Sequence, residues 1–167
     1  LKNKLKLRDF NDHINKIDDF DIIDIPYISY LWDCIDLIPS ILNYDMAHNV
    51  KKNKLKKYDD VVYINEDNIV IDNSSTIEPG SIIDAKNGPV IISKNVIVQS
   101  GSIIKGPVFI DKNSLISNGA KLKGNVLIGQ TCKVGGEVTN TIFQGFSNKV
   151  HDGFIGHSYI GEWVNLG

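Results

Sequence analysis

Asn87-Gly88-Pro89-Val90-Ile91-Ile92 recurs as Lys105-Gly106-Pro107-Val108-Phe109-Ile110, and again as Lys123-Gly124-Asn125-Val126-Leu127-Ile128. The step between copies is 18 residues, and a shorter period runs inside it. From Ile92 onward an aliphatic returns at every sixth position: Val98, Ile104, Ile110, Ile116, Leu122, Ile128 and Val134. Ile71, Ile77 and Ile83 keep the same step before the phase slips by three residues at Lys86-Asn87-Gly88. Six residues turn an α-helix by about 600°, which leaves successive aliphatics about 120° apart, so no single helix face collects them. A sandwich would show alternation with turn signals every 8–12 residues or so. The period fits a triangular solenoid in which each hexad makes one short strand and one corner. Three hexads close a coil, and the aliphatic points inward onto its equivalent in the next coil, about 4.8 Å away.

Two further slots carry the same period. The position four after each aliphatic reads Ser75, Ser81, Val96, Ser102, Val108, Ser114, Ala120, Val126, Cys132 and Val138, all small or β-branched. The position three after it holds Gly80, Asn95, Gly101, Asn113, Gly119 and Asn125. Gly and Asn are the residues that tolerate positive φ, which a tight corner demands. Residues 61–167 therefore supply about six coils. Spacing does not set their handedness; the general rule for crossovers favours a right-handed path.

Residues 1–60 lack the repeat and read as an arm. Ile28, Leu31, Trp32, Ile35, Ile38, Leu42 and Met46 recur at three or four, which predicts an amphipathic helix, and Pro39 is expected to kink or divide it. The run Lys51-Lys52-Asn53-Lys54-Leu55-Lys56-Lys57 reads as a solvated helix end or linker, with an anionic partner as the alternative. The arm is expected to pack on the first coil and cover its open strand edge.

Composition narrows the classes of function. The 167 residues carry a net charge of −2, which argues against a general nucleic-acid binder. No apolar run approaches the roughly 18 residues of a membrane span. Two cysteines, Cys34 and Cys132, do not form a disulfide framework, so the cytoplasm is the expected compartment. A start at Leu1 and a stop at Gly167 read as a piece of a longer protein.

The six-residue step fails after Val134 and partly resumes at Ile155, Ile160 and Leu166. Interruptions of a solenoid make loops or bulges, and such places carry function more often than regular coils. His151 and His157 fall here. The stretch Ser147-Asn148-Lys149-Val150-His151-Asp152-Gly153-Phe154-Ile155-Gly156-His157, continuing through Ser158-Tyr159-Ile160-Gly161-Glu162-Trp163-Val164-Asn165-Leu166-Gly167, adds a second signature to the hexads. Together with Tyr30-Leu31-Trp32-Asp33, it resembles the bifunctional sugar-1-phosphate nucleotidyltransferase/acetyltransferases, in the branch found in Bacteroidetes-type bacteria. The resemblance covers roughly residues 27–167.

That resemblance implies a left-handed parallel β-helix, a homotrimer with acyl sites between neighbouring helices, and acetyl-CoA as co-substrate. The acceptor it implies is an amino-sugar 1-phosphate. It also implies a nucleotidyltransferase domain, to which any magnesium would belong; its Gly-rich nucleotide loop is not in these residues. Acetyl transfer needs a base for the attacking amine, donors for the oxyanion and cations for the sugar phosphate. Histidine suits the first role because its pKa lies near working pH. By resemblance His151 is the catalytic base, Asn165 a substrate contact and Lys123 a phosphate contact, with Lys149 a second candidate of that kind. Two family features are missing. Thr139 or Thr141 stands where the family has a lysine, depending on a two-residue gap, and Phe154 stands where it has a tyrosine. Those losses make another amino sugar a competing acceptor.

Each candidate also has a plainer role: His151 a surface loop residue, Asn165 a corner asparagine, Lys123 a solvated lysine. Two other functions compete. The solenoid can serve only to trimerise a sugar nucleotidyltransferase, with no acyl activity. Alternatively, His151 and His157 can belong to a zinc hydratase like the γ-class carbonic anhydrases, which hold zinc with three histidines across a trimer interface. The anhydrase pair is five apart and this one is six, which puts the two on successive faces. The other histidines, His13 and His48, lie in the arm. Cys132 sits in a small inward slot, and both it and Cys34 are expected to be inert.

Overall fold

The computed structural model describes residues 27–50 and 55–167. From Val62 to Leu166 the chain winds as a parallel β-solenoid of about six turns. Three families of short strands build three faces. Face one runs through Val62–Ile64, Ile82–Asp84, Ile103–Lys105 and Lys121–Leu122. Face two runs through Ile69–Ile71, Val90–Ile92, Val108–Ile110 and Val126–Ile128. Face three runs through Thr76–Ile77, Ile97–Val98, Leu115–Ile116, Lys133–Val134, Asn148–Lys149 and Asn165–Leu166. In the last two coils, the strands Glu137–Phe143 and Phe154–Ile160 bend through a corner and serve faces one and two together.

The eleven expected interior aliphatics, Ile71 to Val134, are all buried. Their register partners are one another: Ile92 meets Ile110, Ile110 meets Ile128, and Val98 meets Ile116. All ten small-slot residues are buried as well, as is Ser147, four after the inward Phe143, and several of these serines have a specific use. Ser75, Ser114 and Ser147 each accept a main-chain N–H from the following coil, from Val96, Cys132 and Val164 respectively. Ser114 and Ser147 also donate to carbonyls of that coil, at Gly129 and Gly161. A larger side chain would fill the corner, and an apolar one would leave those groups unpaired.

All six predicted corner residues, Gly80, Asn95, Gly101, Asn113, Gly119 and Asn125, have positive φ. The asparagines also stack, and the Asn95 amide donates to the Asn113 side chain at 3.2 Å. Gly106 answers a different demand, because a Cβ there would stand 2.1 Å from the Gly88 carbonyl oxygen. The Gly-Pro of the 18-residue repeat marks that close approach of successive coils.

The helix of the arm is placed differently from expectation, while the end of the arm does reach the first coil. Helix α1 (Asp33–His48) does not cover the first coil's edge; it lies on the outside of face two. Ile35, Ile38, Leu42 and Met46 are its buried stripe, against Ile91 and Ile142, with Val70, Phe109, Leu127 and Tyr159 packed alongside. Those six residues come from six successive coils. Five coil spacings of about 4.8 Å make about 24 Å, the length of a 16-residue helix at about 1.5 Å per residue. Pro39 does not divide the helix, because the continuous apolar stripe on either side holds it to the sheet. Ile28, Leu31 and Trp32 precede the helix and are exposed. The last residues of the arm, Leu55 and Tyr58, pack with Val61 against the first coil, and Tyr58 donates its hydroxyl to the Ser75 carbonyl. Of the basic run, Lys57 pairs with Glu66 at 2.8 Å, while Lys51–Lys54 lie outside the described residues. Among the described residues no helix is long and apolar enough to cross a membrane.

Candidate functional site

The coil that follows Val134 is short. Successive inward positions on face two lie eighteen residues apart from Ile110 to Ile128, but only fifteen from Ile128 to Phe143. Four residues rather than six lead from Val134 to the next inward residue, Val138. Two of the three lost residues come out of the corner between faces three and one, which is reduced to Gly135 and Gly136, and the third from the step of five between Val138 and Phe143. Glycine is required at both. A Cβ on Gly135 would stand 2.1 Å from the Val150 carbonyl oxygen, and one on Gly136, where φ is +69°, would stand 2.5 Å from that of Gly153. The corner of the following coil, residues 150–153, is thereby drawn against them, with Gly135 N–H bonded to the Lys149 carbonyl and Glu137 N–H to that of Gly153.

His151 sits on that drawn-in corner with its side chain exposed. Beside it opens a cleft of about 580 Å³, lined by Gly119, Lys121, Gly136, Glu137, Asp152, Gly153 and Phe154. Its charges are mixed. Lys121 and Glu137 are cross-strand neighbours on face one, and Asp152 enters from the His151 corner. The Phe154 side chain is 65% exposed, and its ring lies over Gly156, where a Cβ would meet it at 2.6 Å. Asp152 and Lys121 were not singled out from the sequence. Lys121 was readable as an outward neighbour of Lys123, two residues along one strand face.

The other candidates are not gathered into this cleft. Lys123 projects from face one and its ammonium is paired with the Glu137 carboxylate at 2.7 Å. Asn165 is exposed on face three in a strand, across from Asn148, so it is not a corner asparagine. Thr139 pairs with Gly156 on the bent strand, whereas Thr141 is buried and donates to the Thr139 carbonyl. Of the two, Thr139 is the one near the surface.

Lys149 departs furthest from the sequence reading. It occupies an inward slot of face three, with Val134 as its register partner on one side and Leu166 on the other, and is 7% exposed. Its ammonium donates to the carbonyls of Gly135 at 3.1 Å and His151 at 2.7 Å. Burial pushes its pKa down, against the opposing pull of the Asp152 carboxylate. A lysine held this way is not presented to a phosphate at the surface. The signal for it was in the sequence, because six residues lead from Phe143 to Lys149 and six from Lys149 to Ile155.

His157 stands at another corner, between faces one and two, with φ of +48°. It ends a column in which Asn125 donates to Asn140 at 2.8 Å and the Asn140 amide meets the His157 Nε2 at 3.3 Å. Among the described residues no three of His, Cys, Asp and Glu are arranged to hold a metal ion. His13 lies outside the described residues, and His48 stacks on Tyr44 at the end of α1. Cys132 is buried, and that burial raises its thiol pKa. No family model and no curated protein matches this chain.

Proposed function

We propose that this chain is the acyltransferase-like part of a sugar nucleotidyltransferase/acetyltransferase, moving acetyl from acetyl-CoA to the amine of an amino-sugar 1-phosphate. The observation that carries the reading is the exposed His151 on a corner drawn in by the shortened coil, beside an open cleft that Lys121 lines. The resemblance of residues 147–167 points to the same histidine. In the proposed reaction the His151 imidazole takes a proton from the acceptor amine. The amine nitrogen attacks the thioester carbonyl, the C–S bond breaks, and CoA leaves as the thiol with the proton returned from the imidazolium. The solenoid is then left-handed and trimeric, and a second copy supplies the rest of the acyl site against the open cleft. Lys121 suits the acceptor's phosphate better than Lys123, whose charge Glu137 already offsets.

The competing reading is a trimerising scaffold without acyl activity. Lys149 turned inward, Lys123 paired and the hydroxyl-less Phe154 favour it, since together they leave few donors for a phosphate. Mass spectrometry of the purified protein incubated with acetyl-CoA and glucosamine 1-phosphate, or a panel of other amino-sugar 1-phosphates, separates the two. An N-acetylated product supports transfer; a trimer that yields none with any acceptor supports the scaffold.

A further inference from the structure

We propose that Lys149 is a positioning residue for His151: its buried ammonium ties the main-chain carbonyl of His151 to that of Gly135 and so sets where the imidazole stands. The inference rests on the reading of His151 as the base.

The slot itself makes the case. On either side of Lys149 in the stack stand Val134 and Leu166, side chains that fill an interior position without a charge. Burying an ammonium among aliphatics is costly unless its protons are used. Here two of them are, at 3.1 and 2.7 Å, and both acceptors are corner carbonyls. One acceptor, Gly135, lies in the corner shortened to two glycines; the other is the main chain of His151 itself. An apolar residue would fill the slot yet leave the corner of 150–153 held by fewer bonds. A bond from an ionised donor is roughly twice as strong as one between neutral groups. The lysine therefore links the shortened coil to the histidine that follows it, from inside the fold and two residues away in sequence. At 7% exposure, with its ammonium on two corner carbonyls, it acts on transfer through His151.

The test uses Lys149→Met, which keeps the aliphatic stem and removes the donors. Amide hydrogen exchange across residues 150–154 is expected to rise about tenfold while exchange across Val126–Val134 stays the same. The His151 imidazole resonance in protein carrying 13C-labelled histidine is expected to move. The kcat for CoA release is expected to fall about tenfold with KM for acetyl-CoA unchanged, and Lys149→Arg, which keeps donors, to recover part of it. If Lys149→Met does not fold, Lys149→Leu, which copies Leu166 in the next coil, is measured instead. Unchanged exchange at 150–154 together with an unmoved His151 resonance overturns the inference, whatever the activity. Faster exchange with unaltered kcat, in a protein that His151→Ala inactivates, also overturns it. A His151→Ala variant as active as the parent removes the acyl-transfer reading instead, and the resonance and exchange measurements then decide alone whether Lys149 places the His151 side chain.

Discussion

Lys149 and Val134 are register partners, one coil apart, in the same inward slot of face three. A charged side chain thus replaces an aliphatic inside the stack, at the point where the coil has lost residues. Its consequence for stability follows by linkage. Burial lowers the Lys149 pKa in the folded protein below its ordinary value of 10.5. Below the folded pKa the lysine is charged in both states, and the folded state carries the full burden of the buried charge. As pH rises from the folded pKa towards 10.5, the unfolded chain binds more protons than the folded one, so stability rises. Urea midpoints of the parent and Lys149→Met, measured at pH 7 and again just below 10.5, are expected to shift relative to each other in the parent's favour at the higher pH. A difference independent of pH would contradict the assignment.

Two glycines with nearly the same φ separate backbone strain from crowding. Gly119 (φ +66°) has nothing within 4 Å of the place a Cβ would take, whereas a Cβ on Gly136 (φ +69°) meets the Gly153 carbonyl oxygen at 2.5 Å and the Lys149 ammonium at 2.8 Å. Gly119→Ala is expected to cost about 1–2 kcal/mol, the usual penalty for a side chain in the left-handed region. Gly136→Ala is expected to cost more, because the corner must also open. Equal losses in chemical denaturation would contradict the close packing of the two corners.

The serine slots allow a similar comparison. Ser114 is buried, accepts the Cys132 N–H at 3.1 Å and donates to the Gly129 carbonyl at 2.9 Å. Ser117 has a buried hydroxyl without a partner. Ser114→Ala is expected to destabilise by about 1–3 kcal/mol, and Ser117→Ala by close to nothing. Thermal unfolding of the pair, run side by side, reads the difference.

Helix α1 covers apolar residues of face two, and Leu42 is 3% exposed in that contact. Leu42→Asp is expected to loosen the helix from the sheet and raise binding of a hydrophobic dye, with the β signal in circular dichroism retained. Loss of the β signal would mean that the solenoid depends on the helix to fold.

The sequence revealed much of this architecture because the solenoid is quasi-one-dimensional, with each coil contacting its neighbours. Ile92 to Val134 gave the interior column, and Asn95, Gly101, Asn113, Gly119 and Asn125 gave corners with the required φ. The helix pattern showed which face of α1 is buried but not what it packs against; periodicity carries no information about the partner. The site was harder for a different reason. Lys149 breaks the chemical pattern while keeping the spacing, so reading residue types hid it where counting positions would have found it. The Lys123–Glu137 pair was equally hidden, since it depends on a register that a two-residue loss had shifted. Asn165 looked like a corner residue because asparagine marks corners elsewhere in the chain, yet it stands in a strand.

The most direct measurement is the rate of free thiol release from acetyl-CoA in the presence of an amino-sugar 1-phosphate, for the parent protein and for His151→Ala. Loss of a general base costs about 10²–10⁴-fold in rate, and a fall of that size in the variant is the predicted result. Thiol release by His151→Ala at the parent's rate would contradict the assignment of His151 as the base.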